Sequence, residues 1–135
     1  MATEMESANA VAQQLVKALT EIDAELLGTL CRDDIELQVP GAREVDLTAQ
    51  RTGVSSFLAW AADVQRFCGK TTFAIDRYFE NGCELMAAGT MRIERHPRIF
   101  TSPCSLLLRF EAGKVSFFQL LLDTYALDKF RGQMD

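Results

Sequence analysis

Two apolar runs late in the chain limit the possible fold more than any other feature. Leu106-Leu107-Leu108 and Phe117-Phe118-Gln119-Leu120-Leu121-Leu122 are apolar almost without a break, and Ala112-Gly113 marks a turn between them. Successive strand residues point to opposite faces of a sheet, so both faces here must be covered. The chain's own helices cover one. A bare apolar face of that size is rarely left in water, and its simplest cover is a second copy packed sheet to sheet about a two-fold axis. The other possible cover is the C-terminal tail.

The helices come first in the chain. Val11, Leu15, Ala18, Leu19 and Ile22 recur at three- and four-residue steps, which predicts one helical face. Thr20, with Glu21 and Asp23 behind it, reads as the N-cap of a second short helix carrying Ile22, Leu26, Leu27 and Leu30 and stopping around Arg32-Asp33-Asp34. Ile35, Leu37 and Val39 then alternate with polar residues as a strand does, and Pro40-Gly41 breaks it. The polar stretch 42–52 reads as a loop over a pocket mouth. Val54, Phe57, Leu58, Ala61, Val64 and Cys68 mark a third helix that Gly69 ends.

From Thr71 onwards the pattern is that of strands. Asn81-Gly82 lies between two strand-like runs, the strongest short hairpin signal, because both residues tolerate positive φ. Further strands are expected from about Cys83 to Arg95, Phe100 to Phe110 and Lys114 to Tyr125, with a turn at His96-Pro97 and a short helical segment over Leu127 to Phe130. Three helices and then a four-stranded meander make an α+β domain with its helices on one sheet face. One domain over 1–135 is expected, with 1–6 disordered.

Composition removes several function classes. The net charge is −5 and the basic residues are scattered, so no Lys/Arg stripe is available to neutralise phosphates, and nucleic acid is not an expected partner. No apolar run approaches the ~20 residues of a membrane helix, and the acidic, polar start lacks the pattern of a secretion signal. The four cysteines, Cys31, Cys68, Cys83 and Cys104, are singly spaced, unlike a metal, redox or disulfide framework. Reduced thiols, no metal, no cofactor and a cytoplasmic location are the expectations.

The segments EIDAELLGTLCRDDIEL, VPG, RTGVSSFLAW, FENG and LLLRFEAGKVSFFQLLLDTYAL, with their order and turn glycines, resemble the nuclear transport factor 2-like superfamily, in its SnoaL-like and ketosteroid isomerase-like branches. The resemblance covers about 10–130. It implies a cone-shaped α+β fold, a cystatin-like barrel in which a curved antiparallel sheet carries three N-terminal helices on its concave face, with an apolar pocket between them. It also implies homodimers through the outer sheet face. Fold does not fix activity in so varied a group. The ketosteroid isomerase positions for base, tyrosine and second acid fall by this resemblance at Val39, Leu15 and Leu106. That mechanism needs a carboxylate base, and a tyrosine and a neutral carboxylic acid to hold the oxyanion. All three positions here are apolar, so the mechanism is not expected.

SnoaL-like cyclases carry an aspartate where this chain has Asp123, near the end of the last strand. Gln119, Leu121 and Asp123 share a face with Phe117, and desolvation among apolar groups would suit a carboxylate to proton transfer. The alternative is that Asp123 caps the turn into the C-terminal segment. Phe57 and Trp60 on the third helix, with Gln38, Met86, Gln119 and Leu121 on the strands, are the expected lining of a site for a small apolar, ring-shaped ligand. Arg92, Glu94 and His96 read as parts of an exposed hairpin tip. Two functions stay open: an isomerase, cyclase or dehydratase type of enzyme working by acid–base catalysis, or a non-catalytic binding or dimerisation module with the same pocket.

Overall fold

Among the described residues a six-stranded sheet carries four helices, as seen in a computed structural model that describes residues 2–41 and 49–132, the side chains of 2–7 and 49 excepted. The elements are α1 Ala2–Glu21, α2 Ala24–Leu30, β1 Cys31–Val39, β2 Ala49–Thr52, α3 Val54–Phe67, β3 Lys70–Asn81, β4 Glu84–Arg95, β5 Arg98–Glu111, β6 Lys114–Leu121 and α4 Thr124–Gly132. The helix α1 takes in 2–6, where the sequence suggests disorder. The expected loop over 42–52 lies outside the described residues as far as 48, and its end is strand β2.

The α+β architecture is as expected, with one correction to the sheet. Its order is β2-β1-β6-β5-β4-β3, and β1 runs parallel to β6 while the other neighbours are antiparallel, so it is curved but mixed and unclosed. The reason is topological. After β1 and β2 the chain crosses the helix layer through α3, starts again at the far edge with β3, and zigzags back until β6 lies beside β1 in the same direction.

Strand alternation sends one set of residues under the helices. Ile35, Leu37 and Val39 of β1, Leu85, Ala87, Met91 and Ile93 of β4, Leu106 and Leu108 of β5, and Phe118 and Leu120 of β6 are all buried. Leu15, Ala18 and Leu19 of α1 and Phe57, Ala61 and Val64 of α3 close over them. At the centre the rings of Phe57 and Phe118 lie 4.8 Å apart and tilted by 47°, a geometry that adds to simple burial.

Curvature has a local cause. The β3–β4 register slips between Ile75 and Arg77, leaving Asp76 as an extra residue that bends the strand. Gly89 faces that bend, and a Cβ there would run into the Ala74 carbonyl and lie 2.8 Å from the Ile75 Cα.

Several boundaries differ from the sequence expectation. The N-cap of α2 is Asp23, whose carboxylate accepts from the Leu26 N–H at 3.0 Å, and Thr20 still belongs to α1. Asp23 also donates its own N–H to the Ala18 carbonyl at 2.9 Å across Ile22, which sits at φ 53. That bond is the helix-closing pattern of a Schellman motif, and it separates two helices that the apolar periodicity runs together. α2 stops at Leu30, so Cys31 to Asp34 belong to β1. The β3–β4 turn residues are Gly82 and Cys83, since Asn81 still pairs with Glu84. β6 ends at Leu121 instead of Tyr125, and α4 runs longer than the expected 127–130.

Candidate ligand-binding site

The concave face is the place where the fold brings α1, α3 and the sheet together. Trp60, one step from the main apolar face of α3, is 5% exposed and belongs to that interior. With Leu19, Ala61, Val64 and Gln65 from the helices and Thr71, Phe73 and Met91 from the sheet, it lines a crevice of about 10 Å³. That is room for one water. Phe73 and Met91 are direct partners across β3 and β4. The Thr71 hydroxyl donates to the Gly69 carbonyl at 3.2 Å, and the Gln65 side-chain amide donates to the Thr20 carbonyl at 2.6 Å. The lining is thus aromatic and aliphatic, with one amide and one hydroxyl as its polar groups.

Of the residues expected to form one pocket, the structure brings together only Phe57 and Trp60 on the inner side. Gln38, Met86, Gln119 and Leu121 lie on the opposite, convex face. The shared face of Phe117, Gln119 and Leu121 is real, but their neighbours Phe118 and Leu120 are the ones buried under the helices. The same alternation places Gln38 between buried Leu37 and Val39. On the convex face Gln119 donates to the Gln38 side-chain carbonyl at 3.2 Å, while Leu121 is 43% exposed. Met86 pairs with Leu107 and Phe79 there.

Asp123 is exposed, at the start of α4. Its carboxylate accepts from the Ala126 N–H at 2.9 Å, its carbonyl accepts from the Leu127 N–H, and its own N–H donates to the buried Ser102 hydroxyl at 3.1 Å. These are the bonds of an N-cap. Leu15, Val39 and Leu106, the isomerase-equivalent positions, are all buried core residues.

Sequence reading missed Leu19, Ala61, Val64, Gln65, Thr71, Phe73 and Met91 as lining. A signal for Gln65 existed: it follows Ala61 by four residues, which puts a polar side chain on the apolar face of α3.

Other reactive groups lie away from the crevice or are silenced. His96 is exposed in the β4–β5 turn, and Arg92 pairs with Glu94 at 3.1 Å on the surface. Burial pushes the Cys31 thiol up to about 12, against the nearby positive charge of Lys114, and the Cys68 and Cys104 thiols up to about 11. A thiol so held is not a nucleophile at neutral pH. Among the described residues no group of three or more metal-binding side chains comes together. No described helix is long and apolar enough to cross a membrane. Two open hollows lie on the convex face, one of about 540 Å³ beside Arg77, Ser105 and Leu121 and one of about 300 Å³ beside Cys83, Arg109 and Phe117.

Known proteins share this fold. A nuclear transport factor 2-like protein of unknown function from Burkholderia pseudomallei K96243 superposes with a TM-score of 0.80 at 20% identity, over 96% of this chain and 98% of that one. TerC, co-crystallised with polyporic acid, gives 0.82 at 17% identity over 93% and 98%. A putative SnoaL-like polyketide cyclase from Jannaschia sp. CCS1 gives 0.75 at 9% identity over 90% and 89%. At these identities the likeness is one of fold. No curated protein matches the chain. The SnoaL-like domain model matches residues 12–118, most of the cone from α1 into β6, and the chain belongs to that SnoaL-like family within the nuclear transport factor 2-like superfamily.

Proposed function

We propose that this SnoaL-like chain is a small-molecule-binding protein that takes an apolar, ring-shaped ligand into the crevice under Trp60 and does no acid–base chemistry on it. The observation that carries this reading is the lining itself: Trp60, Phe73 and Met91 supply apolar surface, and with the Gln65 amide engaged to the Thr20 carbonyl the Thr71 hydroxyl is left to accept a polar contact from the ligand. Such a mixture is typical of sites that hold lipophilic rings. Asp123, the candidate acid or base, is engaged as a helix cap on the exposed surface. TerC, which shares this fold, was crystallised with polyporic acid, and that molecule serves as one probe of the crevice.

The test uses Trp60, the chain's one tryptophan. Polyporic acid, a polycyclic ketone and a terpenoid are titrated while its fluorescence is followed, and each probe is recovered and assayed for chemical change. The expected outcome is saturable quenching by a ring-shaped probe, unaltered in the Asp123→Asn variant, with the probe recovered intact. Conversion of a probe that the Asp123→Asn variant abolishes would overturn the non-catalytic reading in favour of the cyclase or isomerase type.

A second reading concerns assembly. Phe79 is 58% exposed and Leu121 43% exposed on the convex face, and Met86, Leu107 and Phe117 lie between them only partly covered. The C-terminal helix does not cover them, because α4 turns under the other face, where Phe130 packs on Phe100 at 5.6 Å. A second copy of this chain on the convex face is the proposed cover. The unpaired cysteines suit a reducing compartment, and the cytoplasm is the proposed location.

A further inference from the structure

We infer that Gln65 is a latch on the crevice: its amide holds the last turn of α1 against α3 and sets how readily the crevice opens. The inference rests on the binding reading above and adds what regulates access.

The last carbonyls of a helix have no partner within it. In α1 the Ala18 carbonyl is taken by the Asp23 N–H, around Ile22 at φ 53. Positive φ is costly for a β-branched residue, so this turn adopts a conformation that its own side chain opposes. Gln65 of α3 then donates to the Thr20 carbonyl at 2.6 Å, with the Leu19 carbonyl at the edge of bonding distance, 3.5 Å. A side chain from the neighbouring helix therefore helps hold a strained turn in place.

Leu19 and Gln65 are also walls of the crevice. A space of about 10 Å³ admits no ring, so a wall has to move. The sheet wall is fixed by strand pairing, Thr71 to Ile93 and Phe73 to Met91, and α3 is anchored on the sheet through Phe57, whose ring packs on that of Phe118 at 4.8 Å. The α1 wall ends in the strained turn and is held there by the Gln65 amide. It is the wall that yields, and breaking the bond to Thr20 is the step that frees it.

The experiment compares the wild type with Gln65→Met, which keeps the length of the side chain and removes the donor. Polyporic acid is mixed with each in a stopped-flow instrument, and quenching of Trp60 is followed. The bound state is the open one, so loss of one hydrogen bond from the closed state should raise the association rate and lower the dissociation constant, each about five-fold. A residue that only packs against ligand would weaken binding on substitution. Equal or weaker binding by a folded Gln65→Met overturns the latch.

Hydrogen exchange on the wild type decides the matter separately, even where the variant does not fold. Amides 19–23 should exchange faster once polyporic acid is bound, and unchanged or slower exchange there overturns the latch. If the wild type binds and the latch measurements fail, the crevice reading stands without it. If neither protein binds any probe, the crevice reading falls, and the latch that rests on it falls with it.

Discussion

The carboxylate of Asp123 and the backbone N–H of Ala126 are joined by a hydrogen bond of 2.9 Å at the first turn of α4. This contact decides how the residue should respond to mutation. Removing a capping carboxylate costs about 1 kcal/mol, and replacing it by asparagine costs little, since asparagine caps equally well. Asp123→Ala should therefore lower the melting temperature by roughly 3 °C, a size expected for about 1 kcal/mol in a domain of this length. Asp123→Asn should melt with the wild type. Calorimetry on the three proteins checks this, and an Asp123→Asn variant less stable than Asp123→Ala would contradict the capping role.

The bend at Asp76 makes a second prediction. Gly89 has no room for a methyl group, because the Ala74 carbonyl and the Ile75 Cα occupy that space as backbone and cannot rotate away. Gly89→Ala should destabilise by about 3 kcal/mol, toward the upper end of the range for forced overpacking. Urea unfolding measures it. A loss below about 0.5 kcal/mol would mean that β3 shifts freely and that the bulge does not fix the curvature.

The fold was legible in the sequence where a pattern repeats, and less so where one residue decides. Ile35, Leu37 and Val39 announce a strand, and Val54, Phe57, Ala61 and Val64 announce a helix, because each states its period several times. The break between α1 and α2 was expected at a Thr20 cap and falls three residues later, at Asp23, because it depends on Ile22 adopting a positive φ that its residue type argues against. The site was harder still. Alternation shows that Phe117, Gln119 and Leu121 share a face, but both faces of β6 are apolar, and nothing in a run such as Phe117-Phe118 says which one the helices cover. Polar Gln38 and Gln119 read as pocket groups, and they instead bond one another on the convex face. The parallel pairing of β1 with β6 that joins them could not be read from turns, since no hairpin links those strands.

The convex face gives the third prediction. Leu107 pairs with Gln119 on one side and Met86 on the other, which puts it in the middle of the row that ends at Phe79. If two copies meet there, a carboxylate at that position faces apolar groups of the partner. Burying an unpaired charge costs several kcal/mol, enough to dissociate a dimer of moderate affinity. Size-exclusion chromatography with light scattering should show a dimeric wild type and a monomeric Leu107→Glu with unchanged circular dichroism. A monomeric wild type at high protein concentration would end the proposal.

Alkaline pH supplies the last prediction. A thiol ordinarily ionises near 9.0, while burial lifts Cys31 to about 12 and Cys68 and Cys104 to about 11. Below pH 9 the thiols are protonated in both folded and unfolded chains and have no effect on the balance. Above it the unfolded chain releases these protons while the folded chain keeps them. Stability must then fall as pH rises, until the folded-state values of about 11 and about 12 are passed. The limiting slope is about 1.4 kcal/mol per pH unit for each thiol. Other groups titrate in the same range, so the informative quantity is a difference between variants. Cys31→Ala removes one buried thiol and adds a small cavity whose cost does not depend on pH. Urea unfolding in reductant at pH 8, 9, 10 and 11, read by Trp60 fluorescence, should give the variant a shallower decline between pH 9 and 11 than the wild type. Parallel declines would mean that Cys31 ionises as readily in the folded chain as in the unfolded one, and that β1 opens to solvent at the start of the sheet.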